Sequence, residues 1–139
     1  MSHTLTVANV EHLSGDYFLR YDEFPANTRA DTHHHRWGHL NYAAHGTLSL
    51  HVAGRELVAP PQYGIWIPPH VPHSCHLRHA VVYRAFYVAP EADTGLPTEV
   101  AVLRIGPIIN TILGDLAARG ITQPGTEADL RLAQVMVDQ

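Results

Sequence analysis

From Tyr17 to Val88, apolar and polar positions interchange over short runs, each closed by a turn signal. No helical period runs through this stretch, so it reads as a series of short strands. Tyr17–Phe24 alternates as an edge strand, and Pro25–Ala30 reads as a turn-rich connection. His39–Ala44 and Thr47–Val52 flank Gly46 and predict a hairpin. Ala53-Gly54 turns the chain into Arg55–Val58, and Pro60, Pro61 and Gly64 mark a loop. Ile65–Ile67 is a short apolar strand stopped by Pro68 and Pro69, and His73–Arg78 and Ala80–Val88 complete the set. Strands at this spacing indicate a small all-β barrel or jelly roll.

After Pro90 the pattern changes. Pro90–Pro97 reads as a linker, and Val100–Ile105 as one more strand. Ile108, Ile109, Ile112, Leu113 and Leu116 then recur at helical spacing between Pro107 and Arg119. Pro107 suits the first turn of that helix, and Gly120 suits the position after its C-cap. A second helix starts near Thr126 and carries Leu130, Leu132, Val135 and Met136. It runs into Gln139 without a stop signal, which predicts that the natural polypeptide continues. The expected organisation is a loose segment over 1–14, a β-barrel over 15–105, and two helices of the same domain over 106–139.

Composition narrows the functional classes. A chain of 139 residues with 45% hydrophobic content is long enough for one domain with its own core. No apolar run reaches the roughly 18 residues of a membrane-spanning helix. The N-terminus lacks a charged start and an apolar core, so it does not read as a signal peptide. Cys75 is the only cysteine, which excludes an internal disulfide and points to the cytoplasm. All nine basic residues are arginine, and lysine is absent, so Schiff-base chemistry is excluded. The arginines form no cluster, so this segment lacks an electrostatic footprint for nucleic acid.

Twelve histidines are far above ordinary usage, and strand parity sorts them. His33 and His35 are two apart, so on a strand they share a face; His39 keeps that parity, and His73 arrives on a later strand. These four form the candidate metal set inside the barrel. Neutral imidazole suits zinc, nickel, iron or copper. His34, His51 and His76 have the wrong parity and are expected at the surface. No carboxylate lies near the cluster, which argues against acid–base catalysis. Trp37, Tyr42, Trp66, Cys75, Tyr83 and Phe86 are the candidate ligand-pocket residues, since a small barrel can hold one small ligand between its side chains.

Two segments resemble a known family. HHHRWGHLNYAAHG is similar to the first cupin motif, His-x-His followed by a carboxylate and then Gly. PPHVPH is similar to the second, Pro-x-Gly-x-x-His. The run from His33 to Pro90 resembles more closely still the N-terminal cupin domain of AraC/XylS-type transcription regulators, and the likeness extends over roughly residues 15 to 139. It implies a double-stranded β-helix, with His33, His35 and His73 at the cupin metal positions. His39 falls where cupins commonly place Glu, and His70 replaces the motif Gly. In that family the two helices pack beside the barrel, often at a dimer contact, and lead to a C-terminal domain with two helix-turn-helix units. The resemblance therefore implies a non-enzymatic sensor of a small-molecule effector, with a homodimer contact through the helices. DNA would be reached only through a domain beyond Gln139, and no membrane is implied. The alternative is a small metal-dependent cupin enzyme, a dioxygenase or isomerase using His33, His35, His39 and His73.

Overall fold

The structure, a computed structural model, describes residues 3–4, 15–92 and 95–138. Most of the expected loose segment over 1–14 thus lies outside the described residues. The strands are β1 (His3–Thr4), β2 (Tyr17–Phe24), β3 (Thr28–His33), β4 (Gly38–His45), β5 (Leu48–Val52), β6 (Arg55–Ala59), β7 (Tyr63–Ile67), β8 (His73–Leu77), β9 (Val81–Val88) and β10 (Ala101–Arg104). Two helices follow, α1 (Pro107–Ala118) and α2 (Glu127–Asp138). The strands form two five-stranded sheets, in the orders β1-β3-β8-β5-β6 and β10-β7-β4-β9-β2. All pairings are antiparallel except that of β1 with β3. This is the expected jelly-roll barrel with two C-terminal helices.

Two local expectations are corrected. β4 and β5 do not form a hairpin: β4 pairs with β7 and β9, whereas β5 pairs with β6 and β8. Gly46, at φ 92°, turns the chain from one sheet to the other, and a Cβ there would lie 2.9 Å from the Ala80 carbonyl oxygen. A corner of this kind leaves the same glycine signature as a hairpin. The connection after Pro25 is also shorter than expected. Asn27, at φ 61°, completes a tight turn, and Thr28 already belongs to β3. The β5–β6 hairpin is as expected, with Ala53 and Gly54 both at positive φ, as a two-residue type I′ turn requires.

The second sheet separates two cores. Its inner face contributes Ala43, Ile65, Ile67, Tyr83, Ala85 and Tyr87 to the barrel interior. Its outer face contributes Leu19, Leu40, Tyr42, Trp66, Phe86 and Val88 to a second core closed by the helices. Ile112, Leu113 and Leu116 of α1 and Ala133, Met136 and Val137 of α2 pack there. The inward face of α2 is therefore displaced from that expected: Leu130 and Val135 are exposed. Thr126 caps α2, its hydroxyl accepting from the Asp129 N–H at 3.1 Å. Tyr17 of β2 donates to Gln134 Oε1 at 3.1 Å, and the Leu19 N–H donates to the Thr122 carbonyl at 2.7 Å, tying the helical segment to the sheet.

Gly38 opens β4 where the Trp66 indole crosses it. A Cβ at Gly38 would lie 2.7 Å from Trp66 Cη2. The indole is buried and anchored by donation from Nε1 to the Pro97 carbonyl at 2.8 Å, so it has little room to yield. Gly38→Ala is expected to cost roughly 1–3 kcal/mol of stability in chemical denaturation. A parent-like midpoint would show that the indole moves freely.

Candidate metal centre

His33 and His73 meet across the β3–β8 ladder. Ala30 pairs with Cys75, but the next pair is His33 with His73, so three steps on β3 match two on β8. This bulge brings His33 into register beside His73, with ring centroids 4.3 Å apart. His35 lies just beyond β3, and its carbonyl accepts the His70 N–H at 2.7 Å. The two histidine-bearing loops are thereby joined. His70 adopts φ 67°, so it takes the left-handed conformation that the motif glycine would otherwise supply.

One ring nitrogen from each of His33, His35 and His73 lies within 4.8 Å of the other two. His33 Nδ1 faces the Asp31 carbonyl at 2.7 Å, and His73 Nδ1 faces the Val71 carbonyl at 3.0 Å. A carbonyl accepts only, so each Nδ1 carries the proton and donates it. The Nε2 lone pairs of both rings are left for a ligand, which is the outer-shell pattern of metal-binding histidine. Burial pushes the His35 imidazolium down to about 3 and that of His73 down to about 4, so both rings stay neutral at ordinary pH. Donor type, convergence and protonation all fit a divalent transition metal.

His39 stands apart from that trio, although its ring lies 5.2 Å from His35 and 4.9 Å from His73. Its side chain is 2% exposed and stacks on Tyr87 at 4.8 Å. Its Nδ1 lies 2.8 Å from Asn41 Nδ2, and its Nε2 has no hydrogen-bond partner among the described residues. Burial holds its imidazolium well below the usual range.

The cavity bounded by these histidines measures about 30 Å³, enough for an ion and a group of a few atoms. Cys75 and Tyr83 of the expected pocket set line it, together with Tyr87 and with Arg20 and Asn41, the last two not singled out by sequence reasoning. Burial raises the Cys75 thiol above its ordinary value, which keeps it protonated. Trp37 is buried in the barrel core but does not line this cavity. Tyr42, Trp66 and Phe86 are turned the other way, onto the helix side. Trp66 and Phe86 line a separate cleft of about 480 Å³ between the sheet and the helices, with Leu40, Leu103 and Met136. His34, His51 and His76 are exposed, as parity predicted.

A histidine-lined jelly roll with helices packed on one sheet defines a cupin-type barrel. Residues 15–131 match the AraC-like ligand binding domain, and the chain belongs to that family. It is 35% identical over 107 residues to the HTH-type transcriptional regulator NimR of Escherichia coli strain K12, a match covering 77% of this chain and 39% of that protein. The chain thus spans well under half the length of this relative. Among solved structures, a putative glyoxylate induced protein of Pseudomonas aeruginosa aligns with TM-score 0.55 and 19% identity, covering 66% of this chain and 37% of that one. An RmlC-like cupin of Shewanella frigidimarina aligns with TM-score 0.50 and 19% identity, covering 56% and 70%. At these identities the structural neighbours establish the fold alone. No helix among the described residues is long and apolar enough to cross a membrane.

Proposed function

We propose that this chain is the effector-sensing and dimerising domain of a cytoplasmic AraC-type transcription regulator, and that it holds one divalent transition-metal ion on His33, His35 and His73. The observation that carries the reading is the convergence of three imidazoles, two of them with Nδ1 already committed to backbone carbonyls. Zinc, nickel, iron and copper all suit such donors. When bound, the ion supplies a Lewis-acid position for a small effector. Sensing is favoured over catalysis because, among the described residues, no carboxylate lines the cavity to serve as an acid or base.

The route from site to partner domain is short. β4 carries His39 on its inner face and Leu40 and Tyr42 on the face covered by the helices. A ligand that favours one arrangement of β4 therefore biases the helices too. DNA contact is assigned to the part of the regulator that this chain does not match, in keeping with its scattered arginines. A salt-sensitive gel shift with this domain alone would contradict that. Exposed Ile108, Leu130 and Val135 on the helices support a homodimer contact. A concentration-independent monomer in sedimentation would remove it. The metal assignment is tested by equilibrium dialysis against Zn²⁺. One ion per chain is expected, falling to none in the His33→Ala/His73→Ala double variant. Equal uptake by both proteins would overturn the assignment.

A further inference from the structure

Asn41 decides what His39 can do. Its Nδ2 faces the His39 Nδ1 at 2.8 Å and the Ile65 carbonyl at 3.3 Å, while its Oδ1 accepts from the Tyr83 hydroxyl. Turning the amide over would set two carbonyl oxygens against each other, so the Ile65 carbonyl fixes its orientation. Asn41 therefore donates to His39 Nδ1. A neutral imidazole whose Nδ1 accepts must carry its proton on Nε2. That Nε2–H is buried, unpartnered among the described residues, and belongs to a ring lining the cavity. An N–H is a donor, so His39 in this tautomer is not a fourth metal ligand.

Charge points the same way. His33, His35 and His73 would hold a dication without contributing any negative charge. Among the described residues no Asp or Glu lines the cavity, and the arginine that lines it, Arg20, is paired with Asp22. A buried dication surrounded by neutral ligands and an arginine favours an anion beside it. About 30 Å³ admits the head group of that anion but not a bulky body.

We propose that the ligand this cavity takes beside the ion is a small carboxylate, with one oxygen accepting from the Nε2–H of His39. The proposal rests on the metal-centre reading and names the ligand class of the same site. His39 is then a specificity residue: Tyr83 orients Asn41, Asn41 sets the tautomer, and the tautomer selects an acceptor.

The test loads the purified protein with Co²⁺ and titrates it with sodium acetate, with sodium chloride at matched ionic strength as control. Cobalt absorption bands are expected on loading, and acetate is expected to shift them saturably. His39→Phe should keep the bands and bind acetate more weakly by on the order of tenfold to a hundredfold, the effect of losing one hydrogen bond to a charged acceptor. His39→Gln, which retains an N–H, should recover part of the affinity. Nitrogen-15 histidine spectra of the metal-free parent should show His39 protonated on Nε2. Bands indifferent to acetate, an equal response to chloride, or a parent-like response in His39→Phe would each overturn the carboxylate assignment and leave the metal centre standing. Absent bands would overturn both. Should His39→Phe fail to fold, the parent's spectrum still decides, because a proton on Nδ1 contradicts the proposal.

Discussion

Zinc at a hundredfold excess over its dissociation constant is expected to raise the melting temperature of this domain by on the order of 10 °C. The figure follows from linkage. An ion that binds only the folded chain at that excess adds about 2.7 kcal/mol. For a chain of 139 residues each kcal/mol moves the midpoint by roughly 3–5 °C. The twelve histidines of the unfolded chain also bind zinc, which makes the shift an upper figure. His73→Ala should abolish it, because this residue supplies one of the three converging nitrogens. Melting curves followed by circular dichroism measure the effect. A midpoint unchanged by Zn²⁺, Ni²⁺, Fe²⁺ and Cu²⁺ alike, in a parent that melts like His73→Ala, would defeat the metal reading.

Acid should unfold the metal-free domain steeply. His35 and His73 titrate at about 3 and about 4 in the folded chain, and His39 is held well below its ordinary value, in each case chiefly by burial. Their unfolded value is near 6.5. Folded values are thus depressed, so between pH 6.5 and the folded values the unfolded chain binds more protons. Stability is complete above about pH 6.5 and falls as the pH drops towards 4 and then 3. Arg20 and the neighbouring imidazoles face the same cavity and oppose any positive charge there. Three protons taken up on unfolding correspond to a limiting slope of roughly 4 kcal/mol per pH unit. A domain stable by only about 5–15 kcal/mol cannot withstand that for long. Denaturant midpoints at pH 7.5, 6.5 and 5.5 would show little change over the first step and a marked fall over the second. A flat profile from 7.5 to 5.5 would contradict the burial of neutral rings.

Much of this architecture is legible in the chain because strand length, turn residues and histidine parity are local signals. Parity joined His33, His35, His39 and His73, of which three converge, and set His34, His51 and His76 aside. It did so without revealing the means. His35 lies beyond the end of β3, and the bulge that registers His33 with His73 is invisible in a single sequence. The pocket expectation for Tyr42, Trp66 and Phe86 failed because the second sheet is covered on both faces. β4 is buried at six consecutive positions, so apolarity cannot tell its inner from its outer face. Gly46 misled because sheet corners and hairpins both need its conformation. Arg20 was discoverable: in YFLRYDEF it shares parity with Phe18 and Phe24, which join the barrel core, while Tyr17 and Leu19 face the helices. Asn41 lies two positions beyond His39 on the same strand face, so their contact was open to inference. The tautomer it imposes depends on the Ile65 carbonyl, which only tertiary structure brings there.

Anomalous diffraction at the zinc edge from crystals grown with Zn²⁺ tests the central claim most directly. One peak per chain is predicted inside the barrel, about 2.0–2.1 Å from a ring nitrogen of each of His33, His35 and His73. An ion seated only on exposed histidines such as His51 or His76, with the barrel trio uncoordinated, would contradict it.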